Sequence, residues 1–459
     1  MLLEYGILRK IMTDISHQHE SVVACNEPEP VEGNLFVSAY PPFSYWGGEH
    51  LPAAAAAMQT PPAGADETPL GLYCHVPFCE QRCQFCYYRS YANPSPEAVD
   101  EYVDALAGEL ALYRDAPLLA GRKLDFAYFG GGTPSLLTAS QISRLANNLQ
   151  RSFSWGDARE ITFECAPRTV TTEKLRALSG AGVTRVSLGV QQLDDNVLKA
   201  NGRVHLVSDV EQALAAISRV GFDVVNIDLI VGLIGESDET FHKSLSRVIA
   251  LSPESVTLYQ LEIPGNTPLF RALRQETLPS PPATWQIKRA RLAAAFSELE
   301  DAGYSVRSAY AAVRDPQAHR FVYQDAQYRG ADLIGLGIAS FSYLAGVHVQ
   351  NLASFRTYFG RLENGRLPHD RAYALDRQER WVRELVLQLK LGVVALDYFR
   401  RKFGAQIEEQ YAVPLSRFAA RGWLTVDPDA VKLTREGLLR VDRMLPAFYL
   451  PRHREKPYW

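Results

Sequence analysis

Four cysteines lie close together in the first quarter of the sequence. Cys74, Cys79, Cys83 and Cys86 fall within 13 residues, and the last three are spaced C-x3-C-x2-C. Six cysteines in 459 residues are too few for a disulfide scaffold, so this crowding predicts a metal or redox site. Three thiolates on one loop can ligate three irons of a [4Fe–4S] cluster and leave the fourth iron open to a small molecule. Zinc is the alternative, although a structural zinc site also needs a fourth Cys or His.

The cysteine loop follows the first of six apolar runs of strand length. These runs are LGLYCHVPF, LDFAYFGGG, EITFECAP, RVSLGVQ, VVNIDLIVGL and SVTLYQLE, and helical patterns separate them between residues 70 and 262. Such alternation implies parallel βαβ units with right-handed crossovers. The sequence therefore predicts an α/β fold, a partial (β/α)6 TIM-like barrel with extensions. Functional sites in such barrels lie at the C-terminal ends of the strands.

Four segments are predicted along the chain. Residues 1–67 form an irregular N-terminal extension, because Pro and Gly break its candidate elements, but the aromatics in FVSAYPPFSYW indicate that part of it packs on the body. Residues 68–275 form the partial barrel, and residues 276–374 extend it. Residues 375–459 form a small, mainly helical C-terminal domain with a short hairpin in WLTVDPDAVKLT.

The composition excludes several classes of protein. Hydrophobic residues make up 47% and charged residues 22%, which argues against wholesale disorder. The chain has 48 Lys+Arg against 52 Asp+Glu, a net charge of −4, so nucleic-acid binding has no electrostatic support. No run of about 18 apolar residues predicts a membrane-spanning helix. Charged residues interrupt any signal-peptide core at the start, so we expect a cytoplasmic protein without nucleic-acid or membrane partners.

Glycine and carboxylate residues stand at the ends of the predicted strands. The run GGGT at 130–133 ends the second strand, where glycines let the backbone approach a ligand closely. In the fifth strand, Asn226 and Asp228 share the face that points into the barrel, opposite the apolar residues that pack under helices. A buried carboxylate is costly unless it is hydrogen-bonded. Asp228 is therefore a candidate ligand-binding residue.

The cysteine spacing, placed after the first strand of a partial barrel, resembles the signature of the radical SAM superfamily. Residues 68–459 resemble the oxygen-independent coproporphyrinogen III oxidase-like family. The resemblance implies that Cys79, Cys83 and Cys86 ligate a [4Fe–4S] cluster whose open iron binds S-adenosylmethionine, and that reductive cleavage yields a 5′-deoxyadenosyl radical. It also implies a small-molecule substrate and an electron donor such as flavodoxin or ferredoxin, and leaves room for a partner protein of methyltransferase type.

The same resemblance assigns the residues that contact the cofactor. The expected contacts are Tyr73, Gly131, Gly132, Thr133, Glu164, Gln191, Arg203 and Asp228, with Asp228 on the ribose. A second glycine segment, GADLIGLGIASFSY, matches the family region beside a second S-adenosylmethionine, so two molecules are expected. Ile338 and Ser340 are the expected contacts of this second molecule. Gln324 and Phe341 are the expected catalytic residues beside it.

Two departures from the family bear on the activity. Tyr88 stands where coproporphyrinogen III oxidases have a fourth cysteine, and the run from Gln324 to Arg329 lacks the histidine of the heme-chaperone motif. The main prediction is therefore a class C methyltransferase or cyclopropanase-like enzyme, which transfers a methylene or methyl group from the second S-adenosylmethionine to an sp2 carbon of an aromatic or natural-product substrate. The alternatives are a coproporphyrinogen III oxidase-like decarboxylase of porphyrin biosynthesis and a non-catalytic heme or iron–sulfur carrier on the same fold.

Overall fold

The computed structural model describes residues 39–62 and 68–456. Its strands are β1 (Leu70–Val76), β2 (Phe78–Cys79), β3 (Tyr91–Ala92), β4 (Phe126–Gly131), β5 (Glu160–Cys165), β6 (Arg185–Gln191), β7 (Val224–Val231), β8 (Ser255–Gln260), β9 (Ser305–Val306), β10 (Ala311–Val313), β11 (Asp332–Leu336), β12 (Phe341–Leu344), β13 (Val347–Asn351), β14 (His369–Ala374), β15 (Val393–Ala395), β16 (Leu424–Val426) and β17 (Ala430–Leu433). All six strands predicted for the barrel are present.

Twelve of these strands form one sheet, in the order β14-β13-β12-β11-β1-β4-β5-β6-β7-β8-β10-β9. The stretch from β11 to β8 is parallel, and the strands on both flanks are antiparallel. The sheet begins with β14 and ends with β9, so it forms an open, partial barrel as predicted. One parallel strand, β11, adds to the predicted six because it pairs with β1 from Leu70↔Asp332 to Cys74↔Leu336.

The helices connect the parallel strands and build the C-terminal region. They are α1 (Leu51–Met58), α2 (Pro96–Arg114), α3 (Ala139–Gln150), α4 (Thr172–Gly180), α5 (Asp195–Ala200), α6 (Val207–Val220), α7 (Asp238–Leu251), α8 (Pro268–Arg274), α9 (Trp285–Asp301), α10 (Val322–Tyr328), α11 (Phe355–Glu363), α12 (Arg377–Leu389), α13 (Leu396–Phe403), α14 (Ile407–Gln410), α15 (Ala412–Ala420), α16 (Arg435–Leu438) and α17 (Val441–Met444). Side-chain caps define where several begin: in α3, Thr138 and Gln141 form a reciprocal capping box.

Strand β1 shows how the sequence aims its side chains. Leu70, Leu72 and Cys74 are buried in the main core between the sheet and the helices. The residues between them therefore face the barrel interior, because side chains alternate along a strand. Tyr73 and His75 lie on that inner face, and the Tyr73 hydroxyl is 3.3 Å from His75 Nδ1. Cys74 is thus directed away from the cysteine loop.

The N-terminal extension is more ordered than predicted where the structure describes it. Residues Leu51–Met58 form helix α1, since a proline in its first turn and a run of alanines suit a helix. Ala54 packs with Val347 and Ala372 of the flanking strands. The expectation that the aromatics of this segment pack on the body is confirmed for Trp46, which is buried. Residues 1–38 lie outside the described part of the chain.

A second apolar core lies in the C-terminal region. Buried side chains of helices α12, α13 and α15 form it together with the three-stranded sheet β15-β17-β16. The predicted hairpin is present as β16 and β17, which are antiparallel. Within the described residues, no helix is long and apolar enough to cross a membrane. The division into four segments stays a prediction, because the described residues all belong to one compact unit.

Candidate functional site

The three predicted cluster ligands line one cavity of about 350 Å³ at the C-terminal end of the parallel strands. Cys79 ends β2, which pairs with β3 at Cys79↔Ala92 and so closes the cysteine loop at its base. The Thr133 hydroxyl is 3.5 Å from Cys79 Sγ, and Arg203 Nη1 is 3.3 Å from Cys83 Sγ. The amide of Cys86 donates to the carbonyl of Cys83 at 3.3 Å. The loop therefore presents its thiols to a cavity that other predicted residues also line.

The glycine run at 130–133 supports the start of this loop. The amide of Gly132 donates to Val76 at 2.9 Å, and the amide of Thr133 donates to Phe78 at 2.7 Å. A Cβ atom on Gly132 would lie 2.7 Å from the Phe78 carbonyl oxygen, so only glycine allows this approach. Gly131 adopts a φ of 114°, which L side chains rarely adopt. Gly131, Gly132 and Thr133 all line the cavity.

Glu164, near the end of β5, is a carboxylate on the cavity wall. It accepts hydrogen bonds from the Tyr128 hydroxyl at 2.6 Å and from the Gly131 amide at 3.1 Å. Burial raises the pKa of its carboxyl group to about 7, and the nearby charge of Asp228 adds to the rise. Near neutral pH, this carboxyl group is thus poised between its acid form and its anion.

Asp228 faces the same cavity from the middle of β7, as the alternation in the sequence predicted. Its two oxygens accept hydrogen bonds from Ser187 at 3.0 Å and from the Asn226 amide at 2.9 Å. Burial raises the pKa of the Asp228 carboxyl to about 6 despite these bonds. Protein donors therefore hold the carboxylate in place, and its remaining acceptor capacity faces the cavity.

Gln191 and Arg203 complete the predicted cofactor side of the cavity. Gln191 ends β6 with a φ of 67°, an uncommon conformation that turns the chain at the cavity rim. Arg203 Nη2 donates to the Gly189 carbonyl at 2.6 Å, which anchors the guanidinium beside Cys83.

The donor set fits an iron–sulfur cluster. Burial raises the pKa of the Cys79 thiol, and it raises that of Cys86 to about 12, with the neighbouring Cys83 contributing in both cases. Three crowded thiolates in this pocket need a cationic group to offset their charge. Among residues 39–62 and 68–456, no group of three or more Cys, His, Asp or Glu side chains is placed to hold a single metal ion. The thiols that ligate a four-iron cluster lie further apart than the ligands of a single metal ion, because each thiol binds a different iron.

Several predicted residues lie away from this cavity lining. Tyr73 lies near it, on the inner face of β1, with its ring 6.0 Å from that of Tyr128. Ile338 and Ser340 are buried, and their polar groups are already bonded within the protein. The Ile338 amide donates to Tyr102 at 3.0 Å, and the Ser340 hydroxyl donates to Gly337 at 2.8 Å. These contacts are structural, so a role for Ile338 and Ser340 in binding a second S-adenosylmethionine stays a prediction.

The two predicted catalytic residues are also outside the cavity lining. Gln324 lies on α10, with its amide nitrogen 3.5 Å from the Tyr328 hydroxyl. Phe341 begins β12 and packs against Phe43 and Trp46 of the N-terminal segment, at ring distances of 4.8 and 5.7 Å. The structure therefore does not bring Gln324 or Phe341 to the cysteine loop, and their catalytic assignment stays a prediction.

The part of the cavity lining that lies outside the barrel strands and the cysteine loop, here called the opposite wall, was not anticipated from the sequence. It consists of Trp285, Arg289, Tyr310, Leu439, Arg440, Asp442 and Arg443, from α9, the strand β10 region and the C-terminal region. Trp285 and Arg289 are four residues apart on α9, and this spacing puts both on one face of the helix. The spacing is the feature of the sequence that could have indicated that the two side chains lie together. Asp442 accepts a hydrogen bond from the Tyr310 hydroxyl, and its Oδ1 lies 3.9 Å from the Lys390 ammonium.

Tyr88, the residue at the position of the oxidase cysteine, also lines the cavity. Its ring stacks on Tyr87, with centroids 4.8 Å apart and planes at 25°. It still keeps 49% of its surface accessible. Burial within the protein raises the pKa of the Tyr88 phenol to about 12, and the nearby charges of Glu164 and Asp228 contribute. Tyr88 is therefore a phenol that lies between the cysteine loop and the two carboxylates.

The fold and the thiol-lined cavity define a radical SAM protein. Residues 73–248 match the model of the radical SAM superfamily, and residues 375–440 match the HemN C-terminal domain. The chain therefore contains a radical SAM domain and a HemN C-terminal domain, and it is similar to the oxygen-independent coproporphyrinogen III oxidase-like family. The family resemblance drawn from the cysteine spacing is confirmed.

Particular relatives are similar over most of their length. The structure of coproporphyrinogen III oxidase (HemN) from Escherichia coli superposes with a TM-score of 0.77 at 27% identity, over 90% of this chain and 96% of that one. The oxygen-independent coproporphyrinogen III oxidase of Synechocystis sp. is 28% identical over 83% of this chain and 85% of its own. The heme chaperone HemW of Bacillus subtilis is 27% identical over 82% of this chain and 98% of its own.

These similarities identify the cofactors and the general chemistry. The protein is a radical SAM enzyme that uses a [4Fe–4S] cluster and S-adenosylmethionine. The relatives are named as oxidases or heme chaperones, which agrees with the alternatives drawn from the sequence better than with the main prediction of a methyltransferase.

Proposed function

We propose that the chain is a radical SAM oxidoreductase of the coproporphyrinogen III oxidase-like type, acting on a small molecule that carries carboxylate groups. The observation that carries the proposal is that one cavity holds both groups of residues. It joins the cysteine loop and the two carboxylates of the barrel to an arginine-bearing wall that includes the C-terminal region. Cofactor and substrate would therefore meet in one space.

The residues of the cofactor half have distinct tasks in this proposal. Cys79, Cys83 and Cys86 hold the cluster, and Arg203 holds the loop beside Cys83. Glu164 accepts a hydrogen bond from the cationic amino group of S-adenosylmethionine. When bound, the cluster and S-adenosylmethionine supply an electron and a carbon radical that removes a hydrogen atom from the substrate.

The residues of the opposite wall would bind the carboxylates. Arg289 on α9 and Arg443 on α17 both line the cavity, and the guanidinium group matches a carboxylate in a two-pronged geometry. Asp442 on the same wall lies 3.9 Å from the Lys390 ammonium, which offsets its charge toward an incoming anion. The wall therefore favours an anionic substrate.

Coproporphyrinogen III is the first substrate to test. With a one-electron acceptor added, the reduced, cluster-reconstituted protein should release carbon dioxide and 5′-deoxyadenosine in equal amounts. One hydrogen atom passes from the propionate to the 5′-deoxyadenosyl radical, the carboxylate leaves as carbon dioxide, and the acceptor takes up the one remaining electron as the vinyl double bond forms. Arg443→Gln should lower kcat/KM about 10- to 150-fold by removing a charge-assisted hydrogen bond. Arg417→Gln, at an exposed position away from the cavity, is the matched control. Full turnover by Arg443→Gln would contradict the role of this wall.

Methylene transfer is the second candidate, and Tyr88 is the observation that favours it. In place of the oxidase cysteine, the cavity presents a phenol beside Cys86 and the two carboxylates. With an sp2-carbon acceptor and methyl-deuterated S-adenosylmethionine, this reaction forms S-adenosylhomocysteine and 5′-deoxyadenosine together, and deuterium enters the latter. Release of carbon dioxide from coproporphyrinogen III without S-adenosylhomocysteine would select the oxidase reaction. Stable heme binding with no 5′-deoxyadenosine would select a carrier.

A further inference from the structure

A second cavity, of about 540 Å³, lies at the other end of the barrel from the cysteine loop. Its lining includes Pro69, Glu160, Arg185 and Val224, which stand at or directly before the first residues of β1, β5, β6 and β7. Residues of the segment 317–329, which contains α10, line it as well. The two cavities share no lining residue, so this one is separate from the cavity of the cluster ligands.

The lining of the second cavity is rich in hydrogen-bond donors. It contains four arginines, Arg159, Arg185, Arg320 and Arg329, and three carboxylates, Glu160, Asp223 and Asp325. Each guanidinium carries five N–H donors and no acceptor. Asp325 pairs with two of the arginines at once, at 3.1 Å from Arg320 and 3.8 Å from Arg329. This group of three therefore keeps one positive charge in excess.

Arg185 is a charge buried in the wall of this cavity. Its side chain is 3% exposed, and its Nη2 donates to the Ser255 hydroxyl at 3.0 Å. Its Nη1 lies 3.8 Å from Glu160 Oε2 and has no hydrogen-bond acceptor among the described residues. Glu160 already accepts hydrogen bonds from the amides of Val322 and Tyr323, at 3.2 and 3.1 Å. Because a buried donor without an acceptor is costly, the cavity favours a ligand that supplies acceptor oxygens.

A phosphate group has the chemistry that suits this lining. It presents acceptor oxygens in several directions, and guanidinium groups bind it in a two-pronged geometry. Arg159 has the least to contribute, because Asp125 accepts hydrogen bonds from two of its nitrogens. Asp223 is exposed, so water and salt screen its repulsion of an anion. The three remaining arginines come from β6 and from both ends of α10, and so surround the space from more than one side.

We propose that the cavity at the N-terminal ends of the strands binds a phosphate group through Arg185, Arg320 and Arg329. Its volume of about 540 Å³ leaves room for an organic part, so the ligand is a phosphate monoester of a small metabolite. The site lies at the end of the barrel away from the cluster ligands, so this ligand takes no part in the radical chemistry.

Equilibrium dialysis of the cluster-reconstituted, full-length protein tests the proposal, in a buffer without other multivalent anions. The two probes are inorganic phosphate and glycerol 3-phosphate, with the free probe measured by mass spectrometry. Both should bind saturably, at one molecule per chain, and glycerol 3-phosphate should bind at least as tightly as inorganic phosphate. Tighter binding of inorganic phosphate would overturn the assignment of an ester and identify the free ion as the ligand.

Variants of the lining locate the bound probe. Arg320→Gln and Arg329→Gln should each weaken binding of both probes about 3- to 10-fold, because both guanidiniums are about half-exposed and water screens their charge. Arg185→Gln should weaken it more, by about 10- to 150-fold, provided that urea unfolding shows the variant to be folded. Arg401→Gln, at an exposed site on α13, is the matched control and should bind as wild type does.

Three results would overturn the inference. They are the absence of saturable binding, unchanged binding in both Arg320→Gln and Arg329→Gln, and loss of binding in Arg443→Gln alone, which would place the anion in the cavity of the cluster ligands. The measurement needs no reductant and no turnover. Its outcome is therefore independent of whether the proposed function is correct.

Discussion

Glu164 is the residue whose replacement tests the electrostatics of the site most directly. It accepts hydrogen bonds from Tyr128 and Gly131 on the cavity wall, and burial together with the charge of Asp228 raises the pKa of its carboxyl to about 7. Glu164→Gln keeps the shape of the side chain and its acceptor oxygen but removes the ionisation. We therefore expect the variant to lose a pH dependence that the wild-type protein shows.

The size and sign of the stability effect follow from the pKa. A rise in the Glu164 pKa from the ordinary value of 4.5 to about 7 corresponds, at 1.36 kcal/mol per pKa unit, to about 3 kcal/mol. Because the folded state favours the protonated acid, this contribution is fully present below pH 4.5 and is lost as the pH rises through about 7. Without ligand, the free energy of unfolding of the wild-type protein should therefore fall between pH 5 and pH 8. The fall should be up to about 3 kcal/mol relative to Glu164→Gln, which cannot ionise at this position.

Cofactor binding should show the opposite trend. The ammonium group of S-adenosylmethionine binds a carboxylate better than a carboxylic acid, so wild-type affinity should rise between pH 6 and pH 8, by up to about 10-fold. In Glu164→Gln this rise should be absent. Urea unfolding and equilibrium dialysis across this range measure the two effects, with Glu239→Gln at an exposed site as the control. The reasoning is refuted if wild type and Glu164→Gln show the same pH slopes in both experiments.

Three further predictions follow from the same cavity. Alanine at any one of Cys79, Cys83 and Cys86 should abolish the [4Fe–4S] absorbance, whereas Cys74→Ala should retain it; full iron and sulfide in a loop variant would show that the ligands are misassigned. Asp228→Ala should keep the cluster and weaken S-adenosylmethionine binding about 10- to 150-fold in dialysis, and unchanged affinity would leave Asp228 a structural role. Gly132→Ala should lower cluster content, because its Cβ would meet the Phe78 carbonyl at 2.7 Å, and Gly156→Ala, with open space around it, should not.

Local periodicity was enough to predict the strands and the direction of their side chains. Asp228 faces the barrel because the residues on either side of it pack under helices. The alternation of apolar and polar residues along the strand predicts this orientation directly. The seventh parallel strand, β11, could not be predicted from local periodicity. It pairs with β1 from about 260 residues further along the chain, and no local pattern encodes so distant a partner. The helix in the N-terminal extension was obscured by the prolines around it.

In the second glycine segment, the packing of the chain is by itself a reason for the glycines of the motif. A Cβ on Gly335 would lie 2.2 Å from the Phe341 carbonyl oxygen, and the Gly337 amide donates to the buried carboxylate of Glu109 at 2.8 Å. The packing of the chain on itself therefore requires these glycines whether or not a ligand is present. The sequence could have indicated that Glu109 is buried, because it lies seven residues after Tyr102 and therefore on the same, buried face of α2.

The residues of the cavity differ in how well the sequence predicted them. Those at the strand ends, on the proposed cofactor side, were predicted, whereas those on the proposed substrate side were not. The cofactor residues stand at strand ends in a regular βα order, so their convergence follows from the topology of a parallel barrel. The residues facing them come from α9, from β8 and from the C-terminal region, and only tertiary packing brings Arg289, Tyr259 and Arg443 to one space. Variation in this second group changes the shape and charge offered to a substrate without touching the cluster ligands. Under the proposed function, the cofactor half would fix the class of chemistry, and the opposite wall would select the molecule on which it acts.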